Sequence, residues 1–154
     1  MSSVENYVPY QPNAQGFTEA LLDLKSTMPT STVFKVTGYV TTCFENVTQG
    51  DAVYSREADG FIGKAIANDT FDKAKVAGFV EVTSTSGSEV RVITRGITTM
   101  SGLNTGDLYF LSASSAGSIT TTPPTSAGDF LTRVGEAGST GQFIVKVEPP
   151  VQLS

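Results

Sequence analysis

Short apolar stretches, separated by turn-forming residues roughly every 8–12 positions, constrain the fold of this chain more than any other feature. In residues 34–40 every even position is apolar or Gly, which is the alternation of a strand with one buried face. The Asp59-Gly60 pair separates residues 53–54 from residues 61–67 and indicates a β-hairpin. The same pattern predicts further strands at residues 76–82, 90–93, 108–111, 118–120, 131–136 and 143–147.

These strands predict an all-β fold, a small barrel or sandwich of about nine short antiparallel strands. The composition agrees, because the abundant Thr suits half-exposed strands and the 15 Gly suit turns. We place the β domain at residues 33–148 and expect residues 149–154, which begin with two prolines, to form a short tail.

Two segments of the β domain resemble each other. Residues 47–54 and 103–110 both contain a Gly-Asp pair followed by a strand, in which Gly permits a positive φ and Asp bonds back to the backbone. Further on, each segment reaches a strand that carries Gly. The pattern favours two pseudo-repeats, about 47–82 and 103–138, facing each other in one barrel. Chance similarity in a Gly-rich β protein is the alternative.

Residues 1–15 have the composition of an extended arm. Two prolines and the lack of any periodicity argue against regular structure in this segment. Tyr7, Val8 and Tyr10 make it more apolar than an ordinary solvated tail. We therefore expect an arm that becomes ordered on a neighbouring subunit, the alternative being a disordered terminus.

Residues 16–32 carry the one helical signal in the chain, followed by a linker. Pro29 ends the pattern. A helix this short must pack against the β domain or a partner to be stable. The apolar positions with i, i+3, i+4 and i+7 spacing are Phe17, Ala20, Leu21 and Leu24.

The chain offers little for catalysis. It has no His, which excludes Ser-His-Asp and Cys-His mechanisms and His-based zinc sites. Cys43 is the single cysteine and lies in a strand pattern, so we interpret it as a small buried residue. No phosphate-binding loop is present. We expect no enzyme activity, no cofactor and no metal site, and we interpret as turn residues Asp51, Asp59, Asp69, Asp107 and Asp129.

Charge and hydropathy argue against two classes of partner. The net charge of −5 and the absence of a Lys or Arg run disfavour nucleic acid and anionic membranes. No stretch of about 18 apolar residues is present, and the N-terminus lacks the features of a signal peptide. We therefore expect a protein that is made in a cytoplasm and binds neither nucleic acid nor membrane.

The C-terminal part resembles a β module of bacteriophage virion proteins. Residues 101–112, Ser-Gly-Leu-Asn-Thr-Gly-Asp-Leu-Tyr-Phe-Leu-Ser, are followed by Gly-Ser-Ile-Thr at 117–120 and by a Pro-containing loop. Arg-Val-Gly-Glu-Ala at 133–137 and a closing strand at 143–145 complete the order found in that module. The resemblance covers about residues 101–147. Glu136 departs from it, since a small or apolar residue is usual there.

The resemblance implies a structural protein of the virion. A short chain with one β domain and an arm is more similar to a capsid decoration (cement) protein than to a long trimeric fibre. Such a protein lies on the capsid surface and binds the major capsid protein and copies of itself, a homotrimer being expected and a dimer the alternative. The residues expected to contact the capsid or a neighbouring subunit are Tyr7, Val8, Tyr10 and Phe17.

Two other functions remain open. A head- or tail-fibre adhesive module would bind host surface glycans and would use Tyr39, Tyr54 and Phe61 as exposed platforms rather than as core residues. A hydrolase that uses a pair of carboxylates is the third reading, and it requires two acids facing each other across a cleft.

Overall fold

The computed structural model describes residues 36–154 and confirms the all-β prediction. The predicted arm (1–15) and the predicted helix with its linker (16–32) lie outside the described residues. Within residues 36–154 the chain forms one short helix, α1 (Phe71–Ala74). The strands are β1 (Thr37–Thr42), β2 (Ala52–Ser55), β3 (Ile62–Lys64), β4 (Val76–Val80), β5 (Glu89–Thr99), β6 (Leu108–Leu111), β7 (Ile119–Thr120), β8 (Phe130–Leu131), β9 (Arg133–Ala137), β10 (Gln142–Val145) and β11 (Val151–Gln152).

Nine of these strands form one antiparallel sheet that curls into a half-barrel. Its order is β3-β2-β4-β5-β10-β9-β6-β7, and β1 pairs with β5 outside this path. The predicted hairpin is present as β2 and β3, with Val53 opposite Lys64. A separate ribbon forms where β11 pairs with β8. No helix in the described part of the chain is long and apolar enough to cross a membrane.

The long strand β5 divides the sheet into two halves. Its residues 89–95 pair with β1, and Val92 and Ile93 also pair with β4. Its residues 96–99 pair with β10 instead. Gly96, at the point of change, has a φ of +104°, which is favourable for Gly and costly for other residues. We call β1 to β4 with residues 89–95 the first half, and residues 96–99 with β6, β7, β9 and β10 the second half.

The two halves pair their strands in matching registers. Between β2 and β4, Ala52 lies opposite Phe79, and the register shifts after Val53. Between β6 and β9, Leu108 lies opposite Glu136, and the register shifts after the second residue of the strand in the same way. Matching bulges bend both pairs at the same place, because a bulge increases the local twist.

Two glycines at corresponding places allow close backbone approach. A Cβ on Gly78 would overlap the carbonyl oxygen of Ile93, and a Cβ on Gly135 would overlap that of Ile144. Gly135 also has a φ of +153°. The Gly found in both segments by sequence analysis therefore serves strand packing.

Two clusters of buried side chains fill the fold. The larger one joins both halves, and at its centre the ring of Phe143 lies edge-to-face on the rings of Phe79 and Tyr109, with centroids 5.1 and 5.9 Å away. Cys43, interpreted as buried, is fully buried in the smaller cluster. That cluster lies within the first half and consists of Cys43, Val47, Val53, Ile62, Val80, Val90 and Val92.

Backbone hydrogen bonds connect the two ends of the curled sheet. The N–H of Gly117 donates to the carbonyl of Ala65 (2.8 Å), and the N–H of Ala52 donates to the carbonyl of Gly117 (2.9 Å). The N–H of Ala67 donates to the carbonyl of Ser112 (3.0 Å). The segment after β3 thus links the first half to the β6–β7 region of the second half.

Two details of the sequence prediction are wrong. The even positions of residues 34–40 were expected to be buried, yet Val36 and Val40 are 42% and 60% exposed. The reason is position: among residues 36–154, β1 pairs only with β5 and lies at an edge, and the alternation of its residues cannot show which face is covered. Residues 151–152, expected in a tail, pair with β8 as β11.

Substitution of Gly135 tests the close approach in the second half. Gly135→Ala should lower the free energy of unfolding by about 2 kcal/mol or more, because the added methyl meets backbone and requires a strained φ. Gly138→Ala is the matched control, since its Cβ would meet only ordinary contacts at 3.4 Å or more. Urea unfolding measures both, and equal stability of the two variants would contradict the close approach.

Candidate interaction surface

The described chain exposes several large apolar side chains. Isolated exposed residues of this kind are common on soluble proteins. Two groups of them differ from such isolated residues, because their members are neighbours. One group lies along β1, and the other consists of Val36 and Val82, which line the same groove. The full set is Val36, Tyr39, Val40, Phe71, Val82, Leu108 and Val151.

The groove lies along β5 where the strand passes from the first half to the second. It has a volume of about 360 Å³ and is lined by Val36, Val82, Ile93, Ile97, Gln49, Glu81, Thr98 and Thr99. Ile93 forms a buried part of the wall, whereas Val82 is 63% exposed. We call this feature the junction groove.

Strand β1 presents an unprotected edge. Its sequence, Thr-Gly-Tyr-Val-Thr-Thr, contains no charge and no proline, which are the usual means of protecting a sheet edge. Beyond Thr42 the edge is closed, because Cys43 bridges Ile62 and the N–H of Phe44 donates to the carbonyl of Ile62 (3.0 Å). Within residues 36–154, residues 37–40 have no backbone partner on this side. We call them the open edge of β1.

Charge near the open edge is balanced. Val40 lies opposite Arg91 on β5, and the Nε of Arg91 lies 3.0 Å from a carboxylate oxygen of Glu81 on the far side. Both side chains are about half exposed, so this ion pair contributes on the order of 0–1 kcal/mol. Its main effect is to neutralise the charge closest to Val40.

A second surface feature is the turn between β2 and β3. The guanidinium of Arg56 lies 4.2 Å from the centroid of the Phe44 ring and 2.6 Å from a carboxylate oxygen of Asp59. The N–H of Phe61 donates to Asp59 (3.0 Å), so Asp59 does act as a turn residue. Tyr54, considered as a glycan platform, is buried and packs its ring edge-to-face on Phe44.

The carboxyl groups of two turns have opposite electrostatic environments. Asp51 is partly buried, and burial raises its pKa against the lowering effects of a hydrogen bond from the Thr48 N–H (2.8 Å) and of the charge of Lys64. The pKa of the Asp59 carboxyl is lowered, first by its hydrogen bond with Arg56. Asp51 therefore also serves a turn, with its oxygen bonded to the preceding backbone.

The contact residues predicted from sequence, Tyr7, Val8, Tyr10 and Phe17, lie outside the described residues. The sequence pattern did not indicate the surface that the structure shows. It assigned Val36 and Val40 to a buried face. Val82, after the end of β4, has no local signal that separates it from a core valine. The lack of charge along β1 is the one signal that could have indicated an open edge.

Carboxyl titration followed by NMR tests this electrostatic description. Asp51 should titrate above the ordinary aspartate value of 3.8 and Asp59 below it. The contribution of Asp51 to stability should grow as the pH falls through its folded pKa, because the folded state binds the proton more tightly. The contribution of Asp59 to stability should instead be lost as the pH falls through the lowered pKa that Asp59 has in the folded state. Coincident titration of the two groups would contradict this description.

Comparison with known proteins does not assign the chain to a family. No protein-family model matches the sequence, and no curated protein matches it. The similarity of residues 101–147 to virion β modules therefore stays a prediction from sequence. The function has to be inferred from that prediction together with the surfaces described above.

Proposed function

We propose that this chain is a non-catalytic structural protein of a virus particle, a decoration protein that binds the outside of the major capsid shell. The observation that carries the proposal is the junction groove, in which the exposed apolar side chains of Val36 and Val82 lie beside neutral polar residues. An exposed patch of this kind on a stable β scaffold is typical of a surface that binds another protein.

The junction groove has the chemistry of a protein-binding site. Its apolar side chains range from buried Ile93 to exposed Val82, so that an inserted side chain would contact apolar atoms on several sides. Glu81, its one charged residue, is paired with Arg91. A partner segment could place an apolar side chain against Val82 and Ile97, and its polar groups could bond to the Thr98 and Thr99 side chains of the same groove.

The part of the chain that resembles virion modules is compatible with this role. Residues 101–147 contain β6, β7, β9 and β10, which make up most of the second half. Their bulge, close glycine approach and aromatic core fix the backbone firmly. A rigid scaffold of this kind costs little conformational entropy on binding.

The proposed role also has a simple thermodynamic basis. A protein that binds only the assembled shell stabilises that shell by mass action. Many copies, each binding at equivalent positions, add their contributions. Modest affinity at each site is therefore sufficient. In this proposal the N-terminal residues Tyr7, Val8, Tyr10 and Phe17 supply further contacts to neighbouring subunits, and the protein acts together with copies of itself.

Co-sedimentation with empty, expanded capsids of the virus that encodes the chain tests the proposal. The unmodified protein should sediment with the capsids. Val82→Asp should weaken binding at least about tenfold, because a carboxylate in an apolar interface loses its hydration. Val151→Asp is the matched control, since Val151 is similarly exposed (59%) but lies on β11 away from the groove.

A second variant, which lacks residues 1–15, should lose shell binding. Capsid binding that is unchanged by Val82→Asp would contradict the role of the junction groove. Binding to whole host cells or to their surface polysaccharide, with none to capsids, would favour the adhesive fibre module instead.

A further inference from the structure

We propose that the open edge of β1 pairs with the same edge of a second copy of this chain, forming an antiparallel two-fold dimer. The proposal rests on the backbone geometry of β1 and not on capsid binding. The partner is a second copy because the edge is complementary to itself in hydrogen bonding, in shape and in charge.

The direction of the backbone groups follows from the residues just after β1. The N–H of Cys43 donates to the carbonyl of Ser88 (3.0 Å), and the N–H of Gly87 donates to the carbonyl of Cys43 (2.7 Å), so Cys43 faces the β5 side. Phe44 faces the other side, where its N–H donates to Ile62. Since these directions alternate along a strand, the N–H and C=O groups of Gly38 and Val40 point outward.

An antiparallel copy fits these outward groups. Gly38 of each chain would lie opposite Val40 of the other, and each of these pairs would exchange two hydrogen bonds. Val40, 60% exposed, would then pack over a residue without a side chain. Tyr39, 38% exposed, would lie beside Tyr39 of the second copy, where aromatic side chains stabilise cross-strand pairs.

The charges favour this edge over other contacts between copies. Each chain carries a net charge of −5, so two copies generally repel each other. The open edge carries no charge, and Arg91 behind it is paired with Glu81. The two β5 strands of the dimer would run in opposite directions. Arg95 of one copy and Glu89 of the other would therefore lie at the same end of the interface, so like charges are not brought together.

The neighbouring turn limits how far the pairing extends. The side chain of Thr41 donates to the carbonyl of Gly60 (3.0 Å), and Phe44 is bonded to β3. The second copy can therefore occupy the edge along residues 37–40 but not past Thr41. The register centred on Tyr39 satisfies this restriction, and it is the one that pairs both outward-facing residues of the open edge, Gly38 and Val40, with each other.

The molar mass of the protein in solution, measured by analytical ultracentrifugation, is the first test. The unmodified protein should sediment as a dimer of the 16.2 kDa chain. Val40→Lys should weaken dimerisation at least about tenfold, because it places a charge on each side of the interface. Val151→Lys, on the similarly exposed β11 position, should leave the dimer unchanged. An unmodified protein that is a monomer or a trimer, or a dimer unaffected by Val40→Lys, would overturn the proposal.

A cross-link tests the register and does not depend on the stability of the Val40 variant. Opposite residues in a non-hydrogen-bonded pair have Cα atoms about 4.5 Å apart, within the range that a disulfide requires. Tyr39→Cys should therefore form an intermolecular disulfide under mild oxidation, whereas Val151→Cys should not. Cys43 is fully buried and does not interfere. Absence of the Tyr39→Cys cross-link in a dimeric protein would overturn the proposed register. A monomeric protein would overturn the dimer but not the proposed capsid binding, which is tested separately by co-sedimentation.

Discussion

The pairing of β5 with three other strands is the interaction on which the rest of the structure depends. Its eleven residues pair with β1 and β4 in the first half and with β10 in the second. Val90 and Val92 fill the smaller core cluster, and Ile93 belongs to the larger one. A single strand thus contributes to both cores, and Gly96 gives it the backbone conformation at which its pairing changes from one half to the other.

The exposed surfaces follow from the same arrangement. In the described part of the chain β1 pairs with residues 89–95 of β5, whereas β10 pairs with residues 96–99. The junction groove lies along β5 at this change of partners, between Val82 and Ile97. The features that we propose for binding are therefore consequences of how one strand is shared, rather than separate additions to the fold.

The sequence predicted the elements whose signals are local. Asp59 and Gly60 indicated the hairpin of β2 and β3, and alternation located most of the other strands. It could not predict which face of β1 is covered, because that depends on pairing with residues about 50 positions away. Helix α1 has four residues and is capped by Thr70, too short for a periodic signal. Strand β11 has two residues and gains its conformation only from β8.

The candidate surface was less predictable than the fold, for a physical reason. Val40 and Val92 have the same chemistry, and only their positions in the sheet make one 60% exposed and the other fully buried. The turn acids were predictable, because Asp51 and Asp59 bond to backbone within three residues of themselves.

Native-state hydrogen exchange along β5 tests the central claim most directly. If β5 joins the two halves into one cooperative unit, the hydrogen-bonded amides of β5 on both sides of Gly96 should open only with global unfolding. Their opening free energies should then equal the free energy of unfolding of the protein. Opening of residues 97–99 at a clearly lower free energy than residues 90–93, or two separate unfolding transitions, would contradict the account.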